Sequence, residues 1–285
     1  MQCIKNQVLS PLQEAQKPIV YDAYFKNDGK AKAVVIFCHG YKGFKDWGPW
    51  HLVAAAFAKA GFFFLKFNFS HNGGTVHQPI DFPDVEAFAQ NNYTIELDDI
   101  DRVLDFICAD SNYSNQIDVS KISLIGHSRG GGIVLIKAQE DPRVNKVVTW
   151  AGVSDYRARF QENTPGFLAF KKQGVYYVQN ARTKQQMPHY WQFYTNFIEN
   201  QKRLTLQRAA QELTKPLLVI HGEKDTTVGM QEAQNLHQWS SFSELFIATE
   251  ANHVFNAKHP YPQASMPKAL TDVVAKTILF LSQKG

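Results

Sequence analysis

Continuous apolar runs recur along the chain at residues 33–38, 62–67, 122–125, 146–150 and 217–220. They lack the polar/apolar alternation of a half-exposed strand, so they predict strands buried on both faces of a parallel sheet. Stretches with helical spacing lie between them. Asp46 to Trp50 caps an Ala-rich helix running to about residue 59 and closed by Gly61. Residues 93–107 place Ile95, Leu97, Ile100, Val103, Leu104 and Ile107 on one face, and the acids Glu96, Asp98, Asp99 and Asp101 read as its solvated side. Further helices are expected over 128–140, stopped by Asp141-Pro142, and over 231–239 and 266–282, with a strand over 244–249. Near the N-terminus an edge strand and a hairpin turn at Asn27-Asp28-Gly29 are predicted, residues 75–91 read as irregular, and residues 112–115 as a loop. The alternation predicts an α/β fold with a mostly parallel, doubly wound sheet.

Residues 153–214 differ in texture. They are dense in aromatic residues, Gln and Arg, and are broken at Pro165-Gly166, Gly174 and Met187-Pro188. No buried strand stands out, and helical pieces are predicted. The chain therefore divides into a first core segment (1–152), a helical, aromatic-rich cap or lid insertion (153–214) and a second core segment (215–285). Part of the aromatic set forms the insertion's own core. The rest, with Tyr156 and Trp191 as candidates, lines a pocket for an apolar or aromatic acyl group.

Composition narrows the function classes. The 285 residues carry a net charge of +4, with Lys and Arg scattered and not gathered into runs, so neither a nucleic-acid nor a membrane surface is expected. The three cysteines, Cys3, Cys38 and Cys108, lie far apart without metal-type spacing; their odd number argues against a disulfide framework, and Cys38 and Cys108 read as core residues. There is no apolar core to the first residues and no run of about 18 apolar residues, so neither a signal peptide nor a membrane span is expected, and a cytoplasmic setting fits.

The chemistry centres on Gly126-His127-Ser128-Arg129-Gly130, between an apolar strand and a helix start. This is the strand–turn–helix setting of a nucleophile elbow: a tight turn holds the serine above the sheet, and its neighbours two residues away must be small. A neutral serine needs a base within hydrogen-bond reach, and the base needs an acid to hold its tautomer. In a doubly wound sheet only loops leaving the strands at one edge converge on the elbow. Ser128, Asp225 and His253 each occupy such a loop, in the order Ser, Asp, His. Asp155, after the 146–150 strand, is the alternative acid. His39-Gly40-Tyr41-Lys42-Gly43 leaves the first buried strand, and the backbone N–H of Tyr41 is the candidate oxyanion donor there. His71 is a candidate pocket residue; His39 and His221 read as loop braces and His127 as packing beneath the serine. The other histidines, His189 among them, lack a strand-exit setting. Neither paired His/Cys metal spacing nor a Gly-x-Gly-x-x-Gly dinucleotide loop is present, and no cofactor is expected.

Four anchors, Phe37-Cys38-His39-Gly40, Gly126 to Gly130, Val219 to Asp225 and Asn252-His253, make the chain resemble the α/β-hydrolase superfamily. Within it the chain is similar to dienelactone-hydrolase-like and cinnamoyl (feruloyl) esterase-like serine hydrolases. The resemblance implies Ser128 as nucleophile, His253 as base, Asp225 as its orienter, and an oxyanion hole from the N–H groups of Tyr41 and Arg129. Dienelactone hydrolases proper carry a cysteine nucleophile, so Ser128 favours an ester substrate. The expected activity is carboxylic-ester hydrolysis of a small molecule through an acyl-enzyme. A prolyl-oligopeptidase-like peptidase, a thioesterase and a non-catalytic binding protein on the same fold are the alternatives.

Overall fold

The computed structural model describes residues 1–14, 16–109 and 113–283. In chain order it contains β1 (Gln2–Leu9), β2 (Ile19–Phe25), β3 (Lys32–Cys38), α1 (Trp50–Lys59), β4 (Phe63–Phe67), α2 (Val85–Gln90), α3 (Tyr93–Cys108), β5 (Ile117–His127), α4 (Arg129–Glu140) and β6 (Val144–Trp150). A 3-10 turn (Arg157–Phe160), α5 (Pro165–Gln173), β7 (Val175–Gln179), β8 (Gln186–Tyr190), α6 (Gln192–Glu199), α7 (Gln201–Leu204) and α8 (Leu206–Glu212) follow. The chain closes with β9 (Leu217–Gly222), α9 (Met230–Trp239), β10 (Ser243–Ala248) and α10 (Lys268–Ser282). Residue 112 of the expected 112–115 loop lies outside the described residues.

The main sheet runs β1-β2-β4-β3-β5-β6-β9-β10. From β4 to β10 every pair is parallel, while β1 and β2 add antiparallel strands at one edge. Strand β3 shows why its sequence is apolar throughout: Val34, Ile36 and Cys38 join the core under α3, α4 and α9, and Val35 and Phe37 join the core under α1 and α10. This is the α/β-hydrolase arrangement expected from the sequence. All the parallel strands end at one edge, which brings the loops after β3, β5, β9 and β10 together.

Several local expectations are corrected. Residues 27–29 make no hairpin, because β4 lies between β2 and β3; the N-terminal hairpin joins β1 to β2. Residues 75–91 include the helix α2, whose Asp84 side chain accepts the N–H of Ala87. The segment 153–214 is not wholly helical: β7 and β8 pair as an antiparallel hairpin. Cys108 is exposed at the end of α3.

The acids depart furthest from the sequence expectation. Asp46 does not cap α1, whose N-cap is Pro49. Instead Lys45, Lys66, Asp22 and the half-buried Asp46 form a ring of alternating charge, with Lys45 Nζ 2.8 Å from Asp22 and 2.5 Å from Asp46, and Lys66 Nζ 2.5 Å from each. On α3, Glu96 and Asp99 point inward, three residues apart on the face turned to the strand exits, and are not solvated. Glu96 pairs with Arg129 at 2.8 Å. Asp99 accepts the Ser70 N–H at 2.7 Å and Arg102 at 3.2 Å, and burial pushes its carboxyl up to about 7.

Candidate active site

Between β5 and α4 the chain turns so sharply that Ser128 takes φ 56° and ψ −121°, a strained conformation for a residue with a side chain. The turn is over-determined by its surroundings. The Ser128 N–H donates to the Trp150 carbonyl at 2.8 Å, and its own carbonyl accepts the Gly131 N–H at 2.9 Å. The glycines are demanded by close approach: a Cβ on Gly126 would lie 2.2 Å from the Gly130 carbonyl oxygen, and one on Gly130 would lie 2.5 Å from that of His39.

The loops after β9 and β10 bring Asp225 and His253 to this serine. His253 Nε2 is 3.0 Å from Ser128 Oγ, and its Nδ1–H donates to Asp225 Oδ2 at 2.7 Å. The other oxygen of Asp225 accepts the N–H groups of Thr227 and Val228 at 2.8 and 2.9 Å. Burial alone raises this carboxyl, but the hydrogen bonds from His253 and the two backbone N–H groups outweigh it, so it stays below the usual carboxylate range. The fixed carboxylate therefore dictates that Nδ1 carries the imidazole proton and leaves Nε2 free to accept.

The surrounding histidines brace the loops. His127 Nε2 bonds the His253 carbonyl at 2.9 Å, and burial lowers the His127 ring to about 3, so it is neutral. His39 bonds the Gly40 carbonyl through Nδ1 and accepts the Phe69 N–H at Nε2, its ring lowered by burial to about 4. His221 donates to the Val228 carbonyl at 2.8 Å behind the Asp225 loop.

Two backbone N–H groups in the turns at Ser128 have no backbone acceptor among the described residues. Arg129 is the first residue of α4, so its N–H has no intrahelical acceptor. The Tyr41 N–H, in the turn after β3, makes no backbone hydrogen bond among the described residues. This turn presses on Ser128: a Cβ on Gly40 would lie 2.8 Å from Ser128 Cβ. The Tyr41 side chain is held twice. Its hydroxyl is 2.7 Å from His189 Nε2 on β8, and the Arg129 guanidinium lies 4.9 Å from its ring centre. His189 in turn stacks on Tyr176 of β7 at 4.7 Å.

A cavity of about 530 Å³ opens on Ser128 and Arg129, walled by Tyr93, Tyr156, Phe160, Phe167, Tyr176 and Phe193. A second, smaller hollow of about 120 Å³ also reaches Ser128 and is lined by His253, His127, Trp47 and Trp50.

The sequence model of the dienelactone hydrolase family matches residues 21–284. The chain belongs to the dienelactone hydrolase family. No curated protein matches the sequence. Among solved structures it is similar to a putative hydrolase from Agrobacterium vitis (TM-score 0.75, 15% identity, 99% of this chain and 100% of that one). It is also similar to Est1E from Butyrivibrio proteoclasticus (0.68, 14%, 96% and 98%) and to a dienelactone hydrolase from Anabaena variabilis (0.61, 16%, 96% and 96%). At these identities the likeness establishes the α/β-hydrolase fold; the family makes the chain a hydrolase.

In this family member the other sequence candidates separate. Tyr156 lines the large cavity, and its hydroxyl donates to the Arg129 carbonyl at 2.9 Å. Trp191 is not among the lining residues; it packs on Phe170 and Tyr194 inside the 153–214 segment. His71 is also away from the cavity, 2.8 Å from Ser70 Oγ. Asp155 is exposed and accepts the Arg157 N–H, remote from His253 in hydrogen bonding. Two residues near the serine carried no sequence signal. Glu96 is one acid in a run that resembles a solvated face, and His189 sits in a hairpin whose pairing the composition hides.

Proposed function

We propose that the chain is a serine esterase that cleaves carboxylic esters of apolar or aromatic acids through an acyl-enzyme. The observation that carries this reading is the unbroken hydrogen-bond chain Asp225–His253–Ser128. His253 Nε2 takes the Ser128 proton as Oγ attacks the carbonyl carbon. The oxygen that gains charge is held by the N–H groups of Tyr41 and Arg129, each contributing about 3–4 kcal/mol in a well-aligned site. His253 then protonates the leaving alkoxide, the C–O bond breaks, and the same imidazole deprotonates the water that releases the acid. Residues 153–214 act as a cap: they supply Phe160, Phe167, Tyr176 and Phe193 to the cavity, whose size suits a small ligand. Est1E, which has been solved with ferulic acid bound, supports an aromatic acid in that cavity.

Labelling with a fluorophosphonate probe tests the assignment. The wild type is expected to label, and Ser128→Ala and His253→Ala are not. A folded wild type that does not react would reject the esterase and favour a binding protein on this fold.

His189 acts as a positioning residue, because it holds the loop whose Tyr41 N–H receives the oxyanion. His189→Phe keeps a ring against Tyr176 but removes the partner of the Tyr41 hydroxyl. Loss of one such hydrogen bond predicts a fall of about tenfold in kcat with little change in KM. A purely structural role would lower the melting temperature and leave kcat alone.

A further inference from the structure

The two hollows meeting at Ser128 differ in size and in which catalytic residue they face. The cavity of about 530 Å³ is lined by Ser128, Arg129 and Tyr41 but not by His253. The hollow of about 120 Å³ is lined by His253, Val254, His127, Trp47, Trp50 and Lys42, and it also reaches Ser128 and Tyr41. The tetrahedral carbon formed on Ser128 carries Oγ, the oxyanion, the leaving oxygen and the acyl carbon. Besides Oγ, only the leaving oxygen must lie within hydrogen-bond reach of His253 Nε2, because that imidazole returns the proton to it. The leaving group therefore starts on the side that His253 faces, and the acyl chain takes the opposite side.

Resting on the serine-esterase reading, we infer that the small hollow is the leaving-group site and that the substrates join a bulky aromatic acid to a short alcohol. The hollow has less than a quarter of the volume of the large cavity. Its walls include rings in tilted contact, with Trp47 5.7 Å from Trp50 and Trp50 5.7 Å from His127. Trp47 is further packed on His259 at 6.1 Å, and Trp50 is 2% exposed. Close-packed rings of this kind yield little to an oversized ligand. The large cavity sets the acid by apolar contact, and the small one sets the alcohol by exclusion.

The test is a two-way panel with the wild-type protein: methyl, n-propyl and benzyl esters of 3-phenylpropanoic acid, and the same esters of acetic acid. For the 3-phenylpropanoates, kcat/KM is expected to fall at least about tenfold from methyl to benzyl, and methyl 3-phenylpropanoate is expected to exceed benzyl acetate. Trp47→Ala enlarges the hollow and is expected to raise the benzyl-to-methyl ratio by a similar factor. Benzyl esters that match or exceed methyl esters, or a preference for benzyl acetate, would overturn the assignment of sides. If fluorophosphonate still labels Ser128 in that case, the esterase itself stands and only the inference fails. A folded Trp47→Ala protein with an unchanged ratio would overturn it as well.

Discussion

Ser128→Ala is expected to lower kcat/KM for the preferred ester by about a million-fold, and His253→Ala and the double variant by about the same factor. The effects do not add because the two side chains perform one event. Without the imidazole the hydroxyl keeps its proton, and without the hydroxyl the imidazole has nothing to activate. Asp225→Asn is expected to cost less, about ten-thousand-fold, through the tautomer. An amide nitrogen facing Nδ1 would favour the proton on Nε2, the atom that must accept from Ser128 Oγ 3.0 Å away. The carboxamide still presents an oxygen to the N–H groups of Thr227 and Val228, so the loop keeps its shape and all these variants are expected to melt near the wild type. Steady-state kinetics of the set, with melting curves, checks both claims. Losses that multiply in the Ser128/His253 double variant would show that the two do not act as a unit.

Lys66→Met is expected to destabilise the fold by about 3–5 kcal/mol at neutral pH, read as a lower urea midpoint with the same slope. The Asp22 and Lys66 side chains have no exposure, and removing one cation leaves two carboxylates, Asp22 and Asp46, sharing Lys45 alone. The size of the effect comes from an uncompensated buried charge. The intact ring need not be worth as much against apolar residues of equal volume. Acid titration separates these. Burial would raise the Asp46 carboxyl, but Lys66 and Lys45 outweigh it and hold the group well below the usual carboxylate range. Its folded pKa is therefore below its unfolded value near about 4, so the unfolded chain takes up the proton first. The stabilisation is complete above about pH 4 and declines as the pH falls through the acid range, where the gap between wild type and Lys66→Met should narrow. The ring also ties Asp22 on β2 and Lys66 on β4 to Lys45 and Asp46, just beyond the Tyr41 turn, so a fall in kcat should accompany the loss of stability.

The parallel sheet, the elbow and the order Ser128, Asp225, His253 were legible along the chain because each rests on local regularity. A strand buried on both faces must be apolar at every position, a tight turn must be flanked by glycines, and a loop that leaves a parallel strand can emerge only at one edge. The same locality explains the errors. Asp46 has the setting of a helix cap, and Glu96 and Asp99 have that of a wet helix face. Asp46 and Glu96 are instead claimed by cations brought from elsewhere in the chain, Lys66 and Arg129, and Asp99 by the distant Ser70 N–H, with Arg102 three residues along its own helix. The β7–β8 hairpin carries no strand signal in the sequence because its strands are only partly buried and need no continuous apolar run. His189 acquired its place at Tyr41 across 148 residues of sequence, and Trp191 turned into the 153–214 core while Tyr156 faced the cavity. Period and turn chemistry are written into neighbouring residues. Which charges become partners and which rings line a cavity depend on surfaces that meet only when the layers pack.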